Sequence, residues 1–320
     1  MPHAILTLVR HAETTGNLNR LLQGVTDSPL TVFGQAQVDA LARAWATTWS
    51  NGDQSRDSTS SLDLPPPTLV VCSPIGRARK TAEAVHAACS RASQPSAHIV
   101  EDRLNQPGTS RLEVMQEQLT RDWLALIVDP GLAEKDFGWK ESTRGGTHVA
   151  GYPKGQGSGE SRTDFAQRVR RVGAEWLEAA CSLASAHSTS TTSEAPIPHI
   201  VLVSHGMWIS TFLSAHPPTT ISHTSAQPGF LPFAANTGMF SLKVQLPPGP
   251  ATARPTTDLF RANDVRHLAN VKRQKGGIGR GAFDSKQTKL SSFFARTPSQ
   301  NLDAGSSLET SPSPTKKRKT

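Results

Sequence analysis

Two histidines in this chain each follow an apolar run and stand beside a second chemically useful group. Leu8-Val9 leads into Arg10-His11, and Leu202-Val203-Ser204 leads into His205-Gly206. A third apolar run, Leu69 to Cys72, opens into Ser73-Pro74-Ile75-Gly76-Arg77. Short, nearly continuous apolar runs read as buried parallel strands, and in parallel α/β sheets the ligand sits beyond the carboxyl ends of the strands. The two imidazoles, Arg10 and Arg77 therefore converge on one crevice. Guanidinium groups match the geometry of phosphate oxygens, and an imidazole can act as a nucleophile, so the set describes a pocket for a phosphoryl group. A lone His11 would read as a hydrogen-bonded core residue; the ordered set of motifs argues for chemistry.

The order and spacing of LVRHAETTGN, LQGVTDSPLTVFGQAQ, CSPIGRARKTA and VSHG resemble the histidine phosphatase (phosphoglycerate mutase-like) superfamily, over roughly residues 4–245. That resemblance implies that His11 attacks the phosphoryl group and forms a phosphohistidine. It implies that Arg10, Arg77 and His205 bind the phosphoryl oxygens, that Asn17 assists at the pocket's edge, and that neither metal nor cofactor is needed. The family's proton donor follows the third strand in a Leu-x-Glu pattern with a short aromatic/Gly motif behind it. Here that strand runs into Asp102-Arg103-Leu104-Asn105-Gln106, with glutamine where the acid would stand. Leu132-Ala133-Glu134, followed by Phe137-Gly138-Trp139, matches better and makes Glu134 the general acid, with Glu113 in Arg111-Leu112-Glu113 as the alternative. Glu160, which precedes Ser161, reads as a cap or as a partner of Arg168. Asn236-Thr237-Gly238 reads either as pocket lining or as an ordinary turn.

Three functions fit these motifs. The leading one is a phosphomonoester hydrolase acting on a small phosphorylated substrate. A mutase is the second, and the departure of Leu104 to Gly159 from the mutase pattern argues against it. The third is a catalytically weak domain used as a binding platform.

The elements that must hold these groups alternate along the chain. Strands are expected at Ala4–Val9, Leu69–Cys72, His98–Glu101 and His199–Ser204, with an edge strand at Met239–Val244. Helices are expected after Thr31, from Gly76 to Cys89, from Leu112 to Val128, and from Ser161, where Phe165, Val169, Val172 and Trp176 share one face. Ser50 to Pro67 and Ser188 to Pro198 read as exposed loops. The fold expected is a three-layer α/β domain over residues 1–250, with a mostly parallel sheet and helices on both faces.

Bulk properties fit that reading. The 320 residues suffice for a sizeable core, and no apolar run is long enough to span a bilayer. Ala4 to Val9 is too short for a signal sequence. Cys72, Cys89 and Cys181 lack metal-type spacing and read as buried, reduced thiols of an intracellular protein. The net charge of +8 is uneven: residues 261–320 hold 13 Lys and Arg against 4 Asp and Glu, while the rest hold 21 against 22. Residues 251–320 therefore read as a largely disordered basic tail suited to an acidic partner.

That tail carries two short patterns. Gln287, Leu290, Phe293 and Phe294 match the PIP box that docks on the PCNA sliding clamp: a 3₁₀ turn would gather the three apolar residues into a plug while Gln287 enters a separate pocket. Pro314-Thr315-Lys316-Lys317-Arg318-Lys319 reads as a signal for a nuclear import receptor, giving a chain shared between nucleus and cytoplasm. Gly276 to Gly281, beside basic residues, would touch nucleic acid at most non-specifically. No membrane partner is expected.

Overall fold

Strand β1 (Ala4–Arg10) turns Ala4, Leu6 and Leu8 into one apolar layer and Ile5 and Val9 into the other. The same alternation holds in β2 (Leu69–Cys72), β4 (Ala125–Val128) and β7 (His199–Ser204), whose residues are all buried. Strands buried on both faces need no polar side, which is why these runs are continuously apolar. The computed structural model describes residues 3–46, 62–90, 100–106, 108–119, 124–189, 197–222, 232–246, 255–275 and 277–286.

With β3 (Val100–Glu101), β8 (Thr220–Ile221), β9 (Met239–Gln245) and β10 (Thr256–Asp264), these strands form a sheet in the order β3-β4-β2-β7-β1-β9-β10-β8. Every pairing in this sheet is parallel except β1 with β9 and β9 with β10, and β5 (Thr143–Arg144) and β6 (Thr147–His148) form a separate antiparallel pair. Helices α2 (Val32–Ala46) and α3 (Gly76–Cys89) cover one face through Leu41, Trp45, Ala82 and Val85. The other face is covered by α4 (Arg111–Leu119), α5 (Arg162–Thr189) and α6 (Gly206–Ala215). Phe165, Val169, Val172 and Trp176 of α5 are buried there, as their spacing requires. No helix among the described residues is long and apolar enough to cross a membrane, and Cys72, Cys89 and Cys181 are buried.

The site's position follows from this winding. β1 and β7 are parallel neighbours whose register ends at Arg10 opposite Ser204. The chain leaves β1 towards α2 on one face and leaves β7 into α6 on the other, which opens a crevice at their carboxyl ends. His11 and His205 are the next residues on each strand.

Four expectations are corrected. The helix expected over Leu112–Val128 ends at Leu119, and its last residues form β4 between β3 and β2; Ala-Leu-Ile-Val has no polar side and suits a strand buried on both faces. Strand β9 lies between β1 and β10, away from the edge. The ordered fold does not stop at 250: the compact unit runs from Met1 to Phe283. Strand β10 escaped notice because Leu259 and Ala262 are its fully buried apolar residues, set among polar ones. Part of the basic charge assigned to a tail accordingly belongs to the fold, where Arg261 and Arg266 pair with Asp264 and Arg273 pairs with Glu13. The PIP-box residues, Gln287 to Phe294, and the basic run at 316–319 lie outside the described residues.

Candidate active site

His11 is buried, and its orientation is set by its own loop. The ring Nδ1 lies 2.8 Å from the Ala12 carbonyl oxygen, a pure acceptor, so the proton sits on Nδ1 and Nε2 carries the lone pair. Burial, with Arg77 and Arg10 close by, holds the imidazole pKa well below the usual histidine value. His11 is therefore a neutral ring that lines the cavity with its Nε2 lone pair unprotonated, the state required of a nucleophile. The loop behind it is braced on several sides: Thr81 Oγ1 accepts from Ala12 N–H, Asn236 Nδ2 donates to the His11 carbonyl, and Thr237 N–H donates to the Arg10 carbonyl. Asn236-Thr237-Gly238 thus supports the nucleophile's backbone, while the cavity wall nearby is formed by Phe233 and Ala234.

Arg77 is almost fully buried at the start of α3, and its guanidinium is held as a rigid plate. Nη1 donates to the Thr26 carbonyl at 2.8 Å, Nη2 to the Gly24 carbonyl at 2.6 Å, and Nε points at His11 Nε2 at 3.3 Å. Asp27 accepts from the Arg77 backbone N–H and lies 3.6 Å from its Nη1. Arg10 is anchored through Nη1 on the Ala234 carbonyl, and its Nε–H is buried without a protein partner. The His205 ring centre stands 5.1 Å from that of His11. Its Nε2 contacts Ser73 Oγ at 2.8 Å, while its Nδ1 is buried without a protein partner. Burial and the cations Arg77 and Arg10 keep this ring neutral too. Buried polar atoms without partners are costly, and both orphans here belong to side chains grouped around His11.

Glu134 reaches the same cavity from the loop after β4. Its Oε1 accepts from Lys135 N–H at 3.0 Å and its Oε2 from Met207 N–H at 3.1 Å. Burial raises its pKa above the ordinary carboxylate range, outweighing those two bonds and the nearby arginines. The loop is pinned from behind. Arg168 donates to the carbonyls of Gly131, Ala133 and Glu134 and forms a bidentate pair with Glu160; Trp208 Nε1 donates to Gly131 as well. Asp129, fully buried, gathers Arg111, Gly131 N–H and Trp176 Nε1 at the loop's start.

A cavity of about 410 Å³ joins these parts; Arg10, His11, Asn17, Arg77 and Glu134 all line it. Of the residues expected at the site, those five line the wall and His205 packs against His11. Glu113 does not line the cavity; its carboxylate accepts from Ser110 N–H at the start of α4. Asn17, in the short helix α1 (Thr15–Leu18), caps that helix through Oδ1 and Thr14. Four contributors escaped sequence reading: Ser73 behind His205, the carbonyls of Gly24 and Thr26 on Arg77, and Glu141. The buried Glu141 carboxylate accepts from the N–H groups of Val25, Thr26 and Phe137, tying the Arg77-binding loop to the acid loop. No short-range pattern marks such long-range partners. Among the described residues, no group of three His, Cys, Asp or Glu could hold a metal ion.

The family model of the histidine phosphatase superfamily (branch 1) matches residues 6–226. The chain is 30% identical over 171 residues to a protein of Klebsiella pneumoniae subsp. pneumoniae named "Probable phosphoglycerate mutase GpmB"; the match covers 53% of this chain and 62% of that protein. The chain thus spans about three-fifths of that relative's length. A protein of the same name from Erwinia tasmaniensis is 29% identical over 207 residues, covering 65% of this chain and 72% of the other. Among solved structures, "Mycobacterial hydrolase 2" aligns over 87% of this chain and 96% of its own, with 20% identity and a TM-score of 0.49.

Proposed function

The chain belongs to the histidine phosphatase superfamily, and from that premise we propose that it hydrolyses phosphomonoesters through a phosphohistidine on His11. The observation that carries the proposal is the pairing of a neutral, lone-pair-bearing His11 Nε2 with the raised-pKa carboxyl of Glu134 across one cavity.

In the first step Nε2 attacks phosphorus, the bond to the ester oxygen breaks, and the departing oxygen takes the proton of the Glu134 carboxylic acid. The phosphohistidine keeps its Nδ1 proton on the Ala12 carbonyl, which offsets the positive charge gained by the ring. In the second step a water gives its proton to the Glu134 carboxylate as its oxygen attacks phosphorus. The N–P bond breaks, and its electron pair returns to Nε2. One water is consumed, and one alcohol and one inorganic phosphate are released. Arg10 and Arg77 hold the phosphoryl oxygens as they gain charge, with His205 Nδ1 as a further donor when Ser73 O–H bonds Nε2. Asn17 stands at the cavity's edge.

The bacterial relatives' name makes a mutase the second reading. A mutase would return the phosphoryl group to a second hydroxyl of its substrate, whereas a hydrolase gives it to water. Quenched reactions probed for phosphohistidine, with phosphate release measured for the parent and His11→Ala, test the proposal. Phosphate release and phosphohistidine that both vanish in His11→Ala are expected. An unchanged rate in that variant would refute it.

The tail adds a part that rests on sequence alone. Gln287, Leu290, Phe293 and Phe294 dock on the PCNA sliding clamp, and the run Lys316 to Lys319 engages a nuclear import receptor, giving a nuclear and cytoplasmic enzyme. Clamp binding by calorimetry should be lost in the double variant Phe293→Ala/Phe294→Ala; equal affinity for variant and parent would sink the docking claim. A chain that binds the clamp but turns over no monoester would be a binding platform.

A further inference from the structure

Beyond the phosphoryl pocket, Leu21, Leu22, Phe137, Met207, Phe233 and Ala234 give the cavity a mainly apolar wall, and its other side chains there, Gln23, Ser210 and Thr211, are uncharged. Phe233 is 85% exposed and Met207 42%, so two large apolar side chains stand in water at the rim. Isolated exposed apolar residues need no explanation, but a cluster facing one cavity marks a ligand surface. Among the described residues, Arg10 and Arg77 are the cations lining the cavity, and Glu134 is its carboxyl. Both arginines are committed to the phosphoryl oxygens in the hydrolase reading, on which this inference rests.

The other cations near the acid loop are turned away. The Lys135 ammonium bonds the carbonyls of Asp136 and Glu160 and sits 5.2 Å from the centre of the Phe137 ring. Arg168 is spent on Glu160 and three loop carbonyls. A substrate carrying a carboxylate or a second phosphate on its alcohol portion would therefore set that charge beside Glu134 and a mainly apolar wall, with neutral polar groups but, among the described residues, no free cation to meet it. Without a cationic partner it would be disfavoured.

We infer that the substrate is a phosphomonoester of an uncharged, apolar alcohol, one with an aromatic ring or a bulky hydrocarbon portion, and that phosphorylated acids such as phosphoglycerate are disfavoured. The apolar group lies along Leu22 and Phe137 and is covered by Phe233, which acts in specificity and not in phosphoryl transfer.

The test compares 2-phenylethyl phosphate with 3-phosphoglycerate, two primary alkyl monoesters whose leaving alcohols are chemically alike. The expected ratio of kcat/KM is on the order of 10²-fold in favour of the phenylethyl ester, the scale on which apolar pockets discriminate. Phe233→Ala should raise KM for that ester about tenfold, with kcat and the phosphohistidine burst unchanged. Leu22→Lys should raise kcat/KM on 3-phosphoglycerate by supplying the missing cation. Equal kcat/KM on the two esters, with phosphohistidine formed from both, would overturn the substrate assignment and leave the hydrolase intact. No turnover and no phosphohistidine with any monoester would overturn the hydrolase reading and this inference with it.

Discussion

Replacing Glu134 by Gln removes a proton and almost nothing else in volume, so it isolates the acid's chemistry. A positioned general acid contributes about 10²–10⁴-fold, and the buried Glu134 holds its proton to higher pH than an ordinary carboxylate. A second effect accompanies the substitution. Each carboxyl oxygen accepts one backbone N–H, from Lys135 and from Met207, and a carboxamide can accept only one of them. The N–H left facing an NH₂ group costs about 1–3 kcal/mol, which would appear as lower stability or a shifted loop. The two effects separate on the leaving group. With an alkyl phosphate, the departing oxygen needs the proton, and kcat/KM should fall by roughly 10³-fold. With 4-nitrophenyl phosphate, whose phenolate leaves unaided, the loss should shrink to about tenfold, the part due to displaced geometry. The pH profile gives a second readout: the parent's kcat/KM should decline as pH rises through the Glu134 pKa, and that limb should disappear in the Gln variant. Equal losses on both esters, with the alkaline limb retained, would refute Glu134 as the proton donor.

Three further outcomes follow from the packing. Burial lowers the His199 pKa from 6.5 to about 4, so the unfolded chain takes up a proton that the folded one refuses. Stability is intact above pH 6.5 and falls by about 3 kcal/mol for this group as pH drops to 4, readable as a falling urea midpoint whose slope lessens in His199→Gln, the remainder coming from other buried imidazoles such as His11 and His205. Asp129→Ala strips the acceptor from Arg111, Trp176 and Gly131 in a fully buried place; a loss of about 3–5 kcal/mol in chemical denaturation is expected. Gly34→Ala would place a Cβ 2.0 Å from the Glu13 carbonyl oxygen, a backbone atom that cannot step aside. The helix-propensity gain is outweighed, stability falls by about 1–3 kcal/mol, and kcat falls with it because Glu13 belongs to the His11 loop; an unchanged kcat would show that the loop tolerates the push.

The legible parts of this protein are those written in short-range pattern. Leu69–Cys72 and His199–Ser204 were placed to the residue because a strand buried on both faces must be apolar throughout, and α3 was placed because Gly76 and Cys89 bound a helical period. Thr31 is legible as a helix cap because its short hydroxyl side chain precedes the helical period, and its Oγ1 accepts from Gly34 N–H. Strand β10 was illegible because a sheet's outer strands need few inward apolar residues. The continuation of the fold to Phe283 depends on backbone bonds such as Val32 N–H to the Gly281 carbonyl and Phe283 N–H to the Leu30 carbonyl, which any side chain permits.

Residue order alone supplies the groups available: two imidazoles and two guanidiniums at strand ends and a carboxyl in a Leu-x-Glu segment. Their states are set by packing. The His11 tautomer follows from the nearby Ala12 carbonyl, and the orientation of Arg77 from the carbonyls of Gly24 and Thr26. The raised pKa of Glu134 and the lowered pKa of His11 come from burial. Residue type fixes what a side chain can donate or accept, but protonation and aim depend on the dielectric and on partners whose positions are set only once the chain is packed.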